Sequence, residues 1–370
     1  MAGEIVLTNR TLNRTLLHRQ LLDERRTTTP IEVITHLVGM QAQEPRNPYV
    51  GLWSRVARFD PTELEGLLLD RLVVRTVVVR GTVHLVTAAD CWTLRPLAQP
   101  VLDRELTVHQ DHKGPLRTFD MTLVLAAAVE WFADAPRTMR QLRSLIAKAF
   151  PEAPAPAAAW ALRNLLTLVQ LPPRGLWSRG GQVTYTTAET WLGAPPSPVG
   201  SLDEVVRRYL TAFGPATPAD VGTWSRLTGM RELLERMRPT LRTYRDERGR
   251  ELFDVADGPV VDGDVAVPVR FLPEYDNVLL SHADRARIIP GDLHLTGLDR
   301  LGLGSFLVDG FHAGFWSART EDDTATLTLE LGRRLTKRQT SSAEAEARRL
   351  LRLLHPGRSR DVVVTAPAHV

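Results

Sequence analysis

A helix-opening signature that occurs three times constrains this chain more than any other feature. Thr29-Pro30-Ile31-Glu32-Val33 and Thr217-Pro218-Ala219-Asp220-Val221 share the pattern Thr-Pro-x-acid-Val, and Thr138-Met139-Arg140-Gln141-Leu142 is a looser copy. Threonine caps the free N–H groups of a first turn. Proline fits where its missing N–H is not needed, and the acid sits at the positive end of the helix dipole. Around each copy the apolar spacing predicts a helix before the signature, helices after it, and then a strand pair. In the last copy these are 202–213, 218–227, 231–237 and a hairpin over 241–255 turning at Gly249. In the middle copy the helices are 121–132, 139–150 and 157–168, with a hairpin of Leu176-Trp177 against 183–185. The first copy has helices at 10–22 and 31–40, two more opened by Asn47-Pro48 and Asp60-Pro61, and a hairpin of 72–79 against 82–87 around Arg80-Gly81.

Three helices followed by a hairpin is the winged helix-turn-helix plan, so the expected fold class is α+β, with three tandem winged-helix units. The competing reading is a set of unrelated helical hairpins in one α+β domain. From about Gly258 the texture changes to short alternating strands, a helix over 342–354 and a last strand over 361–365, which predicts a small β-barrel or sandwich with one packed helix. The expected domains are residues 1–115, holding the first unit, then 116–198, 199–257 and the C-terminal 258–370.

Composition narrows the function. Lys+Arg number 46 against 43 Asp+Glu, nearly all the positive charge is arginine, and the net charge of +3 permits a polyanionic partner without demanding one. Cys91 is the only cysteine, which excludes an internal disulfide, a CxxC zinc site and an iron–sulfur cluster, and a reducing cytoplasm is the expected location. No apolar leader and no run of 18 apolar residues occurs, so neither secretion nor membrane spanning is expected. P-loop, dinucleotide-binding, HExxH and GxSxG patterns are absent, and no cofactor or metal is expected.

The most suggestive stretch is Gln41-Ala42-Gln43-Glu44-Pro45. Two glutamines two apart on a helix point about 200° away from each other. Pro45 biases Glu44 away from helical angles, however, so the chain is expected to leave the helix near Gln43, where residues two apart share a face. The plain alternative is a solvated pair at a helix end.

Gln41-Ala42-Gln43 resembles the Gln-hydrophobic-Gln motif of the winged-helix interstrand-crosslink DNA glycosylases of the AlkZ/YcaQ type. Arg80-Gly81-Thr82-Val83-His84 resembles that family's Arg-Gly-Thr-x-His segment. Leu272-Pro273-Glu274-Tyr275-Asp276-Asn277-Val278-Leu279-Leu280 with Asp284-Arg285 resembles its C-terminal block. The three blocks lie in order across nearly the whole chain, and the likeness is strongest to the branch conferring self-resistance to the crosslinking antibiotic azinomycin. It implies a metal-free hydrolase of DNA repair with Gln41 and Gln43 as catalytic residues, binding damaged duplex DNA, associated with the nucleoid and expected to be monomeric. Other branches carry Asp where this chain has Gln43. An amide cannot take a proton from water at neutral pH, so a Gln pair suits a leaving group already activated, such as N7-alkylguanine or a related cationic alkylpurine, crosslinks included. No lysine stands in the motif to form a Schiff base, so a monofunctional reaction is expected. The alternative from another class is a non-catalytic winged-helix DNA-binding regulator.

Four further residues are candidates for catalysis or lesion contact. Glu44 is a possible base, although it points to the opposite face of an extended segment. Arg80 and His84 lie in the first wing, and His18 on the first helix. The DNA-contacting candidates are Arg46, Arg75, Arg174, Arg179, Arg245, Arg248 and Arg285, because wings reach phosphates and arginine binds them in a bidentate way. Trp177 is the tryptophan most suited to stack on a base; the others read as core.

Overall fold

The computed structural model describes residues 5–195, 199–291 and 302–366. The expected boundary at residue 198 lies outside them. The repeated signature produces the local structure its chemistry predicts. Thr29 with Glu32, Thr138 with Gln141 and Thr217 with Asp220 each close a reciprocal capping box, opening the helices Pro30–His36, Met139–Ala149 and Pro218–Ser225.

The architecture is mixed α and β, with three sheets among the described residues. One five-stranded sheet runs Met40–Gln41, Val83–Thr87, Val73–Val77, Leu168–Gln170 and Tyr185–Thr187, so the first and second copies share a single sheet. The third copy follows its expected order closely: helices Leu202–Phe213, Pro218–Ser225 and Met230–Met237, then the hairpin Leu241–Asp246 with Glu251–Val255. That hairpin takes the N-terminal strand Val6–Leu7 as a parallel neighbour. The first helix, Asn9–Arg19, is tied to the same hairpin by Arg19, whose guanidinium donates to both carboxylate oxygens of Asp254 at 2.7 Å with both side chains buried. The copies therefore interlock instead of sitting as beads.

Three expectations fail locally. The middle hairpin is not Leu176-Trp177 against 183–185. Leu168–Gln170 pairs with Tyr185–Thr187, and Pro172-Pro173, which have no N–H to donate, end the strand and begin a long loop. The helix of the first signature stops at His36 rather than Met40, because Val38 (φ 55°) and Gly39 (φ 93°) turn the chain through left-handed backbone into the strand Met40–Gln41. A Cβ on Gly39 would stand 2.7 Å from Val86 Cγ1, so only glycine allows this approach. Among the described residues the C-terminal region is one open five-stranded sheet rather than the expected barrel or sandwich. Its edges are Arg270–Leu272 and Ser359–Thr365, and the helix Lys337–Leu354 covers a core of Phe271, Phe306, Trp316, Leu327, Leu350 and neighbours. The helix itself was expected and is there. Among the described residues no helix is long and apolar enough to cross a membrane.

Candidate active site

Gln41 ends the short strand Met40–Gln41 opposite His84, and Ala42 N donates to Val83 O at 2.8 Å, so Gln41 is fixed at the edge of a sheet rather than at a helix end. Beyond Ala42 the chain leaves the sheet, placing Gln43 and Glu44 at the surface. Gln41 is only 8% exposed. The extended backbone brings the two glutamines together: Gln41 Nε2 donates to Gln43 Oε1 at 3.4 Å.

The orientation of that pair is chemically forced. Arg80 Nη2 donates to Gln41 Oε1 at 2.8 Å, and a guanidinium has donors only, so the amide atom facing it must be oxygen. The same nitrogen lies 3.2 Å from Asn277 Oδ1 and 3.4 Å from His84 Nε2, and Arg80 Nη1 donates to Trp224 O at 3.4 Å. His84 Nδ1 is 3.0 Å from Thr82 O, which can only accept. The hydrogen therefore sits on Nδ1, and Nε2 receives from Arg80. Burial, with Arg80 close by, pushes His84 down to about 3, so it is neutral at physiological pH. Burial also lowers Arg80 to about 10, which leaves it charged at neutral pH. Arg80 reaches inward through a turn in which it has φ 61° and Gly81 has φ 72°. A non-glycine residue held there costs about 1 kcal/mol or more.

The C-terminal block supports the motif from behind. Asn277 Nδ2 donates to Gly39 O at 2.9 Å, just before the motif strand, while its Oδ1 receives Arg80. Next to it Asp276 accepts two bonds of 2.9 Å from the fully buried Arg55. Arg75 lies under the motif itself: Nη2 donates to Ala42 O at 2.7 Å, and a Cβ on Gly175 would come 3.0 Å from Arg75 Cδ.

Several expectations are corrected by burial. Arg75 is 2% exposed and cannot reach a phosphate; it holds the motif backbone. Arg80 and His84 are both buried, and their polar atoms engage Gln41, Asn277, Thr82 and one another. His18 does not face this site: its Nδ1 is 2.8 Å from Asp23 Oδ2 and within reach of Arg26, and it is not among the residues lining the groove. Trp177 is half-buried, 5.0 Å from the Tyr49 ring, with the Arg46 guanidinium 4.9 Å over it.

Gln43 opens onto a groove of about 780 Å³ whose lining includes Glu44, Arg46, Arg174, Glu274 and His355. Glu44, Arg46 and Arg174 are thus brought together with Gln43. Arg179 is exposed on the loop just before Gly180-Gly181, which line the same groove. The other DNA candidates lie elsewhere. Arg248 is paired with Asp284 at 2.8 Å, Arg245 donates to Gly249 O at 3.0 Å across its own turn, and Arg285 is exposed in the short helix Arg285–Arg287. Sequence reasoning passed over Asn277 and the Arg55–Asp276 pair. The signal was present, since both Asp276 and Asn277 stand in the C-terminal block, but only spatial proximity singles them out from Arg285. Among the described residues no group of three His, Cys, Asp or Glu side chains is arranged to hold a metal ion.

Three separated segments, 41–43, 80–84 and 276–277, therefore meet behind the groove that Gln43 lines, and comparison with known proteins points the same way. A family model described as DNA glycosylase AlkZ-like matches residues 34–353. The chain is similar to the interstrand DNA cross-link repair glycosylase of Streptomyces sahachiroi, 24% identical over 262 residues, which is 65% of this chain and 64% of that relative's length. Its fold is similar to the solved structure of Streptomyces sahachiroi DNA glycosylase AlkZ, with a TM-score of 0.72 at 18% identity, covering 98% of this chain and 100% of that one. With the family's match running through all three segments that build the site, this chain belongs to the AlkZ-like DNA glycosylases.

Proposed function

We propose that this protein is a monofunctional DNA glycosylase that hydrolyses the N-glycosidic bond of cationic N7-alkylguanine and related alkylpurines, including purines in interstrand crosslinks. The observation carrying this reading is the pair of glutamine amides joined by a hydrogen bond at the groove, with Gln41 turned by Arg80 and Gln43 exposed. Amides orient water and offer dipoles but remove no proton, which suffices when the departing base leaves as a neutral purine. Gln43 Oε1 has a second lone pair free to hold the attacking water near the sugar as charge develops there. The motif holds no lysine, so the product is an abasic site without strand cleavage.

Arg46, Arg174 and Arg179 around the groove supply the phosphate contacts, and three winged-helix units, residues 1–115, 116–198 and 199–257, form the surface that meets the duplex. A crosslink ties the two strands together and restricts full extrusion of a nucleotide, so an open groove working on the lesion in place fits that substrate. The Streptomyces sahachiroi relative is named as a cross-link repair glycosylase, which supports the same substrate class. Protection of a producer against its own crosslinking antibiotic, by a monomeric cytoplasmic enzyme, is the corresponding physiological role.

The test is release of free base and alkali-labile sites from N7-alkylguanine duplex, plain and crosslinked, by wild type, Gln41→Ala and Gln43→Ala. Base release by wild type that falls in both variants with duplex binding retained supports the reading. Binding with no base released from any cationic purine adduct sinks it in favour of a non-catalytic DNA-binding protein.

A further inference from the structure

We propose that Arg80 is the positioning residue of the glutamine pair: its buried guanidinium locks the Gln41 amide with N–H toward Gln43 and polarises both amides in series. The proposal rests on the glycosylase reading and specifies how that site is set.

The argument begins from the company Arg80 keeps. It is 8% exposed, and its partners are Gln41 Oε1, Asn277 Oδ1, His84 Nε2 and the Trp224 carbonyl, all neutral acceptors. Three other buried arginines of this protein are matched to carboxylates, Arg19 to Asp254, Arg55 to Asp276 and Arg14 to Asp309, while Arg75 and Arg95 are held by neutral acceptors. A buried charge without a counter-ion is expensive, and what sets Arg80 apart is that this charge is aimed at a side-chain amide of the motif. An acid stands one residue from Asn277, but Asp276 is spent on Arg55. The field of Arg80 is therefore delivered to Gln41 through a 2.8 Å bond instead of being cancelled.

Two consequences follow for the chemistry. Gln41 cannot flip, because its oxygen is held by a group with donors only, so it presents N–H. The bond from Gln41 Nε2 to Gln43 Oε1 then passes the polarisation on, making the N–H groups of exposed Gln43 stronger donors. As the C1′–N9 bond breaks, its electron pair moves onto the purine while water oxygen adds to C1′ and gives its proton to solvent. A strengthened donor favours the side on which the electrons arrive.

The experiment measures single-turnover base release from N7-methylguanine duplex for wild type, Gln41→Ala, Arg80→Met, Arg80→Lys and the double variant Gln41→Ala/Arg80→Met. Binding to undamaged duplex is followed in parallel. Arg80→Met is expected to slow release on the order of tenfold or more with binding unchanged, and Arg80→Lys, which restores the charge and one donor, to recover part of it. In the Gln41→Ala background Arg80→Met should add nothing, because Arg80 acts through Gln41. Losses that multiply, or an Arg80→Lys variant that folds and works like wild type while Arg80→Met does too, overturn the proposal. If wild type releases no base the glycosylase reading fails by itself, and the positioning is then read by nuclear magnetic resonance. The Gln41 side-chain amide signals, recognised by their loss in Gln41→Ala, shift in Arg80→Lys if Arg80 orients them and stay in place if it does not.

Discussion

Two regions of this molecule bury arginine in opposite ways. Where the N-terminal helices meet the later chain, Arg19 and Arg55 are out of solvent and each forms a two-pronged bond with a carboxylate, Asp254 and Asp276. Around the motif, Arg75 and Arg80 are also buried, yet the acceptors facing them are amide, carbonyl and imidazole atoms, and Arg75 Nε and Nη1 have no partner among the described residues. The first arrangement neutralises charge and fixes long-range contacts between segments more than 200 residues apart. The second keeps a positive potential directly behind the glutamines. Stability is served in one place and the electrostatics of the groove in the other.

The contrast is broken most severely by orphaning a scaffold charge. Asp276→Asn leaves Arg55 buried and unmatched, which costs about 3–5 kcal/mol, whereas Arg80→Met orphans no charge and should lower stability far less. Urea unfolding of both variants measures the difference, and equal losses would erase the distinction between the regions. Next in size is chemistry: Gln41→Ala and Gln43→Ala should lower base release by about 10²–10³-fold, equivalent to about 3–4 kcal/mol, with the urea midpoint near that of wild type for exposed Gln43→Ala and lowered for Gln41→Ala, which removes an acceptor of buried Arg80. A drop in midpoint for Gln43→Ala would make that glutamine part of the scaffold.

A third effect concerns pH. Burial lowers His84 to about 3, with Arg80 adding to it, and lowers His282 to about 3 with Arg287 adding to it. Both therefore bind fewer protons folded than unfolded. The stability they carry is complete above the unfolded histidine range near 6.5 and is lost as pH falls from there towards 3. Thermal melts should shift downwards below about pH 6.5, and His84→Asn should flatten part of that slope; an unchanged slope would place the titration elsewhere. The smallest effect is at the rim. Arg46→Ala and Arg174→Ala, beside the groove, should weaken duplex binding and reduce the salt slope by about 1 each, while Arg248→Ala, already paired with Asp284, leaves both unchanged. Binding isotherms at several salt concentrations separate the two groups.

Much of the local structure was legible in the chain. The three capping boxes, the turn at Gly249 and the helix on the C-terminal sheet follow from short-range rules about caps, left-handed residues and amphipathic spacing. So did the meeting of Gln41 and Gln43, although the reason differs: a sheet edge reached through Val38 and Gly39, rather than a helix broken by Pro45. Errors occur where a distant partner overrides local preference. The middle hairpin moved because Leu168–Gln170 found Val73–Val77 as a neighbour.

The sequence by itself determined the capped helices and the hairpins of the first and third copies, that a Gln-x-Gln tripeptide replaces any acid in the motif, and which family the chain resembles. Those properties depend on neighbouring residues, whose backbone preferences and side-chain chemistry can be read directly. Only the tertiary structure decided that Arg75 and Arg80 turn inward, that Asn277 joins Gly39 at the head of the motif strand across more than 200 residues, and that Trp177 packs beside Tyr49 and Arg46. An arginine's composition and spacing are the same whether it meets a phosphate or a buried amide. Burial alone distinguishes the two, and burial is a property of the packed whole.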